Sequence, residues 1–174
     1  MKKDFINSVL ENIWIDDNLS NQDIKDNFKI IDAYMEEVYQ FVLLYYDYMY
    51  LKKDYGDFMK KTMLEDHLLS DICDYPGITT TELANKWHRT TSSISQTISK
   101  FVDAGYVLRK TNENNRKIYN LYITEIGEKY VLKHKLYDIK DTVKTMKTLL
   151  KTVSTDDLNS FFKVLREYNK QLKK

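Results

Sequence analysis

Apolar positions recur at helical spacing along most of the chain, and hydroxyl residues mark where each run begins. Phe5, Ile6, Val9, Leu10, Ile13 and Trp14 predict an amphipathic helix over 4–15, broken by the polar stretch 16–20. Ser20 with Asp23 can cap a much longer helix over 21–55. In it Ile24, Phe28, Ile31, Met35, Val38, Val42, Tyr45 and Met49 alternate at spacings of four and three. That 3.5-residue repeat is the pattern of a helix packed along another helix. Tyr34, Phe41, Tyr48 and Tyr55 form a second row on the same segment, more apolar surface than one small domain can cover. Thr62-x-x-Glu65 starts a third helix through Leu64, His67, Leu68, Ile72 and Cys73, stopped at Tyr75-Pro76-Gly77.

From 76 to 127 the periods are shorter. Thr79 with Glu82 is a capping box, followed by Leu83, Ala84 and Trp87 on one face. His88-Arg89-Thr90 connects to a helix opening at Thr91-Ser92, both suited to an N-cap, with Ile94, Ile98, Phe101 and Val102 as its apolar stripe. Gly105 ends it in the C′ position. A strand over 106–110, a polar turn over 111–117 and a return strand over 118–123 follow, with Tyr119, Leu121 and Ile123 on one face. Two short helices, a tight connection and a hairpin are the order of a winged helix-turn-helix.

After the hairpin, Thr124 caps a helix from Glu125 to about Val153. Leu132, Leu136, Ile139, Val143, Met146, Leu150 and Val153 again alternate four and three. Ser154-x-x-Asp157 caps a last helix carrying Leu158, Phe161, Phe162, Leu165, Tyr168 and Leu172. The predicted fold is mainly α: a winged helix-turn-helix with a two-to-three-stranded wing, flanked by N- and C-terminal dimerisation helices. Its expected parts are 1–61, 62–124 and 125–174, interlocked as one domain.

Ser92, Ser93, Ser95, Gln96, Ser99 and Lys100 fall off the apolar stripe of the second short helix. Hydroxyls and an amide can bond base edges and Lys can hold phosphate, so this face suits a DNA groove; a solvated surface is the plainer alternative. Charge separates the two. The whole chain carries only +1, which argues against indiscriminate nucleic-acid binding. Between Thr79 and Asn120, seven basic residues oppose three acidic ones, a local charge of +4. Arg109, Lys110, Arg116 and Lys117 cluster on the hairpin, where a wing reaches phosphates or the minor groove. With 43% hydrophobic and 30% charged residues the chain is globular. One cysteine fits a reducing cytoplasm, and no apolar run approaches a membrane span. The N-terminal stretch has acids and amides where a signal peptide would be apolar.

These residues resemble the MarR family of bacterial transcriptional regulators. The likeness lies in Gly77-Ile78-Thr79 leading to Glu82-Leu83-Ala84, then Ser92-Ser93-Ile94-Ser95, Gly105-Tyr106-Val107, Asn115-Arg116-Lys117 and Ile123-Thr124-Glu125-Ile126-Gly127. The family's wing usually carries Asp-x-Arg; here Asn115 stands in place of the Asp and Lys117 in place of the Arg. Gln96 takes a position often basic in the family, while Lys100 keeps a later one. The resemblance implies a homodimer built by the terminal helices and a repressor acting on pseudo-palindromic double-stranded DNA. Ser92, Ser93, Ser95 and Gln96 are expected at base edges; Lys100, Arg109, Arg116 and Lys117 at the backbone or minor groove. Thr91 and Asn115 complete the DNA-facing set. The 4–15 helix is an extension that the family's core does not need.

No nucleophile motif, glycine-rich phosphate loop or close carboxylate pair is present in the sequence, and neither an enzyme nor a cofactor is expected. Cys73 sits in an apolar row, where a buried structural thiol is the default. His67, His88 and His134 are scattered. Glu65, Asp66 and His67 can meet a distant His134 only through folding, and the spacing alone does not indicate a metal. Seven aromatics fall between Tyr34 and Tyr50. They serve a dimer core, or else Tyr45, Tyr46 and Tyr48 join His67 and Trp87 in a pocket; the resemblance implies a small aromatic or amphipathic acid there. The alternative overall reading is a dimeric winged-helix interaction module without specific DNA binding.

Overall fold

The computed structural model describes residues 18–52, 60–113 and 115–173, and each of the six helices among them opens on a side-chain cap. The chain forms two compact units, Met1–Lys52 and Lys53–Lys174. The predicted 4–15 helix lies outside the described residues.

In the first unit α1 spans Asn21–Tyr50. Ser20 Oγ accepts from the Asp23 N–H at 3.2 Å, and Asp23 Oδ2 accepts from the Ser20 N–H at 3.0 Å, the reciprocal cap that Ser-x-x-Asp predicts. Leu51 leaves the helix with extended backbone, so α1 stops short of the expected 55. Its apolar rows face outwards: Phe28, Phe41, Val42, Tyr45 and Tyr46 are all exposed.

The second unit carries α2 (Met63–Asp74), α3 (Thr80–Lys86), α4 (Thr91–Asp103), β1 (Val107–Thr111), β2 (Tyr119–Ile123), α5 (Glu125–Leu149) and α6 (Thr155–Leu172). Capping boxes at Thr62, Thr79 and Ser154 start α2, α3 and α6 as the sequence indicates. The cap of α4 is Thr90, one residue before the expected pair, because its Oγ1 reaches the Ser93 N–H. His88 in the preceding turn has φ of 49°, a left-handed backbone rare outside glycine, which makes the connection tight. Gly105 follows α4 with φ of 77°, the conformation for which a C′ glycine is chosen.

β1 and β2 pair antiparallel, with Val107 opposite Ile123 and Arg109 opposite Leu121. Gly77 N–H donates to Leu121 O and Leu121 N–H to Ile78 O, and Thr79 forms an isolated bridge with Asn120. The segment before α3 thus lies beside the two-stranded wing as a partial third strand. Leu68, Leu69, Ile72, Leu83, Ala84, Ile94, Ile98, Phe101, Tyr106, Val107, Leu121, Tyr130 and Val131 form the core. The predicted stripes of α3 and α4 are all in or against it. Tyr119, expected on the inner face with Leu121 and Ile123, is exposed, because the core ends before the tip of the hairpin.

The inward face of α5 differs from its heptad seam. Gly127, Tyr130, Val131 and His134 are buried, whereas Leu132, Leu136, Ile139 and Val143 are exposed. The helix ends at Leu149, before the expected 153, and Ser154 restarts the chain. α6 buries no residue at all.

Thr124 fixes the start of α5. Its hydroxyl donates to Gly105 O at 2.7 Å and accepts from the Gly127 N–H at 3.1 Å. A Cβ on Gly127 would lie 2.4 Å from Tyr106 O and 2.7 Å from Ile123 Cδ1. The backbone contact has no flexible end to give way. Gly127→Ala is therefore expected to destabilise the protein by about 3 kcal/mol, at the upper end of overpacking costs. Chemical denaturation checks this, and a variant as stable as the wild type would mean that α5 does not approach β1 this closely.

Candidate nucleic-acid interface

α4 separates its residues cleanly. Ile94, Ile98 and Phe101 are buried, while Thr91, Ser92, Ser93, Ser95, Gln96 and Lys100 face solvent. Its first turn holds no acid, whereas α1, α2, α3, α5 and α6 each carry one or two there. The positive end of the α4 dipole is thus left without a local carboxylate, the arrangement that favours an approaching phosphate. Ser99 Oγ donates to the Ser95 carbonyl at 3.0 Å within the helix.

The hairpin is tied to this helix by a contact between residues ten apart that local pattern does not reveal. Arg109 stands on β1 opposite Leu121, and its guanidinium donates to Ser99 Oγ at 2.9 Å. One basic wing residue is thereby held against the polar side of α4. On the other face of the strand, Lys110 lies 4.7 Å from the ring centroid of Tyr122.

Asparagines hold the wing tip. Asn112 Oδ1 accepts from the Asn115 N–H and Asn115 Oδ1 from the Lys117 N–H, each at 3.0 Å. Asn112 Nδ2 donates to Asn120 Oδ1 across the hairpin. Asn115, standing where the family usually has Asp, thus spends its side-chain oxygen on the backbone of the turn. Arg116 and Lys117 are exposed beside it.

Behind α3, Asp71 is buried and accepts from two side chains: Lys86 Nζ at 2.6 Å and Trp87 Nε1 at 2.8 Å. The Asp71 hydrogen bond pushes the Lys86 ammonium above its ordinary pKa. Trp87 also stacks on His67 with ring centroids 5.7 Å apart. Of the residues suggested for a pocket, His67 and Trp87 therefore meet within the second unit. Tyr45, Tyr46 and Tyr48 lie on α1 in the first, where Tyr45 packs on Phe41 and Tyr48.

Below the interface is a buried polar layer that hydropathy cannot show. Lys61 and Asp66 are both 0% exposed. Lys61 Nζ lies 3.7 Å from the Tyr130 ring centroid and 4.5 Å from that of Tyr106. Tyr130 donates its hydroxyl to Asp66 Oδ1 at 2.5 Å. Burial pushes the Asp66 carboxyl up to about 6, against the opposing pull of the Tyr130 hydrogen bond and Lys61. Burial likewise raises the Cys73 thiol, aided by Asp74, which disfavours the reactive thiolate. His134 is buried on α5, its ring 5.7 Å from that of His67, and Asp138 follows one turn later. Folding thus joins His67 to His134 as long-range contact allowed. The third group beside them is Asp138 and not Glu65; the helical pair His134-x-x-x-Asp138 was its sequence signal.

Comparison with known proteins agrees with this architecture. The sequence profile described as "MarR family" matches residues 61–119. An "Uncharacterized HTH-type transcriptional regulator YhjH" of Bacillus subtilis (strain 168) is 31% identical over 90 residues, 52% of this chain and 51% of that protein. The chain thus matches about half the length of this relative. Streptococcus pneumoniae FabT, solved in complex with DNA, superposes with a TM-score of 0.59 at 18% identity, covering 84% of this chain and 97% of its own. Lactococcus lactis ZitR, a zinc-responsive MarR family member, gives 0.61 at 11% identity, covering 82% and 99%. At such identities the likeness is one of fold. Residues 61–119 are thus similar to the MarR family, and the superpositions show its winged helix-turn-helix fold.

Proposed function

We propose that the protein is a sequence-specific DNA-binding regulator, acting as a homodimeric repressor on a pseudo-palindromic operator. The carrying observation is the polar face of α4, free of first-turn acid, with Arg109 of the wing bonded to Ser99 on that helix. In this reading α4 enters the major groove. Ser92, Ser93, Ser95 and Gln96 face base edges, with Thr91 at the helix start. Lys100, Arg109, Arg116 and Lys117 hold the backbone or minor groove, and Asn115 shapes the tip that carries the last two. The fold shared with a protein solved on DNA supports the reading.

Dimerisation accounts for the apolar surface. Phe28, Val38, Phe41, Val42 and Tyr45 of α1, the Leu132-Leu136-Ile139-Val143 seam of α5 and most of α6 are exposed in the single chain. A second chain is the natural cover for seams with a helix-packing repeat. It also sets two recognition helices one turn of DNA, about 34 Å, apart. Release by a small aromatic or amphipathic acid belongs to the same proposal. Such a ligand acts only through its differential affinity for two shapes of the dimer. Among the described residues no helix is long and apolar enough to cross a membrane; a DNA regulator is expected in the cytoplasm.

Two measurements test the proposal. If each protomer neutralises about five phosphates, operator affinity falls with salt at a log-log slope of about −9. Titrating purified protein against its own upstream DNA and against random DNA of equal length reads that slope and the specificity ratio together. Weak, equal binding to both would point instead to a winged-helix interaction module.

Substitutions then separate the roles. Gln96→Ala is expected to cost about 1–3 kcal/mol on the operator and to relax specificity, with random DNA little affected. Arg116→Ala should weaken all sequences alike and flatten the salt slope by about one. Equal loss of specific and random binding in Gln96→Ala would remove Gln96 from the base-reading set.

A further inference from the structure

We infer that His67, His134 and Asp138 form a binding site for one divalent transition-metal ion of the zinc class, joining α2 to α5. Each offers one ligand atom, and the three atoms lie within 4.8 Å of one another. His134 Nε2 and Asp138 Oδ2 are already 3.1 Å apart. One helical turn separates these two residues, so both project from the same face of α5. His67 comes from the second turn of α2, across the interface between the helices.

The surroundings are those of a ligand set. With the metal on Nε2 of His134, the ring proton resides on Nδ1. That nitrogen lies 4.0 Å from Asp66 Oδ2, an atom buried without a hydrogen-bond donor. A carboxylate behind a ligating imidazole fixes its tautomer and raises its basicity. Asp66 is held in turn by the Tyr130 hydroxyl. The His67 ring is oriented by its stack on Trp87, whose indole N–H is anchored on Asp71.

Donor chemistry selects the ion. Two imidazoles and one carboxylate suit zinc and its first-row neighbours and give magnesium or calcium too few oxygens. Three protein ligands leave one position for water. With bonds of about 2.1 Å, ligands around a tetrahedral zinc stand roughly 3.4 Å apart. The observed spacings reach that value through small rotations of His67 and Asp138, both only half-buried, while His134 stays fixed. The cation would sit between the buried His134 ring and the partly exposed Asp138 carboxylate. Bound there, it clamps the helix under the DNA-binding module to the helix that leaves it. The site is independent of the DNA reading, since it is measured on the protein alone.

The test uses full-length protein stripped with a chelator and titrated with Zn²⁺ by calorimetry, with Co²⁺ as a spectroscopic substitute. One ion per chain is expected with micromolar or tighter affinity. A cobalt spectrum of tetrahedral type and a rise in Tm with Zn²⁺ should accompany it. His67→Ala and Asp138→Asn, at half-buried positions, should fold without metal yet lose the Tm response. Asp66→Asn should weaken binding by about 10–100-fold, the usual effect of a supporting group. No binding by wild type would overturn the proposal and leave His134 and Asp138 as an ion pair. Undiminished zinc binding and Tm response in both His67→Ala and Asp138→Asn would place the ion elsewhere and overturn it equally.

Discussion

The second unit depends on the junction where α4 ends, β1 begins and α5 starts. Thr124 binds all three. Its hydroxyl reaches Gly105 O, its N–H donates to Tyr106 O at 2.9 Å, and its side chain caps the Gly127 N–H. Two glycines make the convergence possible for different reasons. Gly105 supplies a positive φ, whereas Gly127 supplies the space a side chain would fill. The end of α4, the start of β1 and the first turn of α5 are therefore hydrogen-bonded into one junction. Reorienting α5 carries the other two with it, unless these hydrogen bonds break.

Beneath that junction the core is polar by construction. Lys61, Asp66, Tyr106 and Tyr130 connect the entry to α2, the start of β1 and the first turns of α5. An apolar set of equal volume would often be at least as stable, because burying charges costs solvation that their attraction repays only in part. What the polar set adds is geometry. The short Tyr130–Asp66 hydrogen bond fixes the rotation of α5 against α2 in a way that interchangeable methyl groups cannot. The same rotation turns His134 and Asp138 towards His67 and leaves Leu132, Leu136 and Ile139 outside.

Local rules read much of this from the sequence. Ser-x-x-Asp or Thr-x-x-Glu marked four helix starts, because that device needs only neighbours in the chain. The stripes of α3 and α4 were legible for the same reason. Features decided between distant segments were not. The heptad of α5 reads as a helix-packing seam; what the repeat does not show is that a different side, Tyr130-Val131-His134, is the one buried in this chain. The burial of Lys61 and Asp66 was not legible, because a pattern of polar and apolar residues assigns charges to solvent. On the interface, the polar composition of the α4 face was plain, but the Arg109–Ser99 bond depends on hairpin register. Asn115 was legible as a departure from the family's wing, though its part in capping the turn was not.

These placements limit how an effector can act. A ligand shifts DNA affinity only if it binds one arrangement of the protein better than another. Within that junction the end of α4 and the start of β1 have little freedom of their own. The direction of α5 relative to α2 also points the exposed seam and α6, and changing it would mean breaking the Tyr130–Asp66 hydrogen bond. A group held by His67 on one side and by His134 and Asp138 on the other acts directly on that direction. In the proposed dimer, the helix interface at His134 would give a bound effector a direct route to the spacing of the two α4 helices. The wing tip, by contrast, is held by its own asparagines.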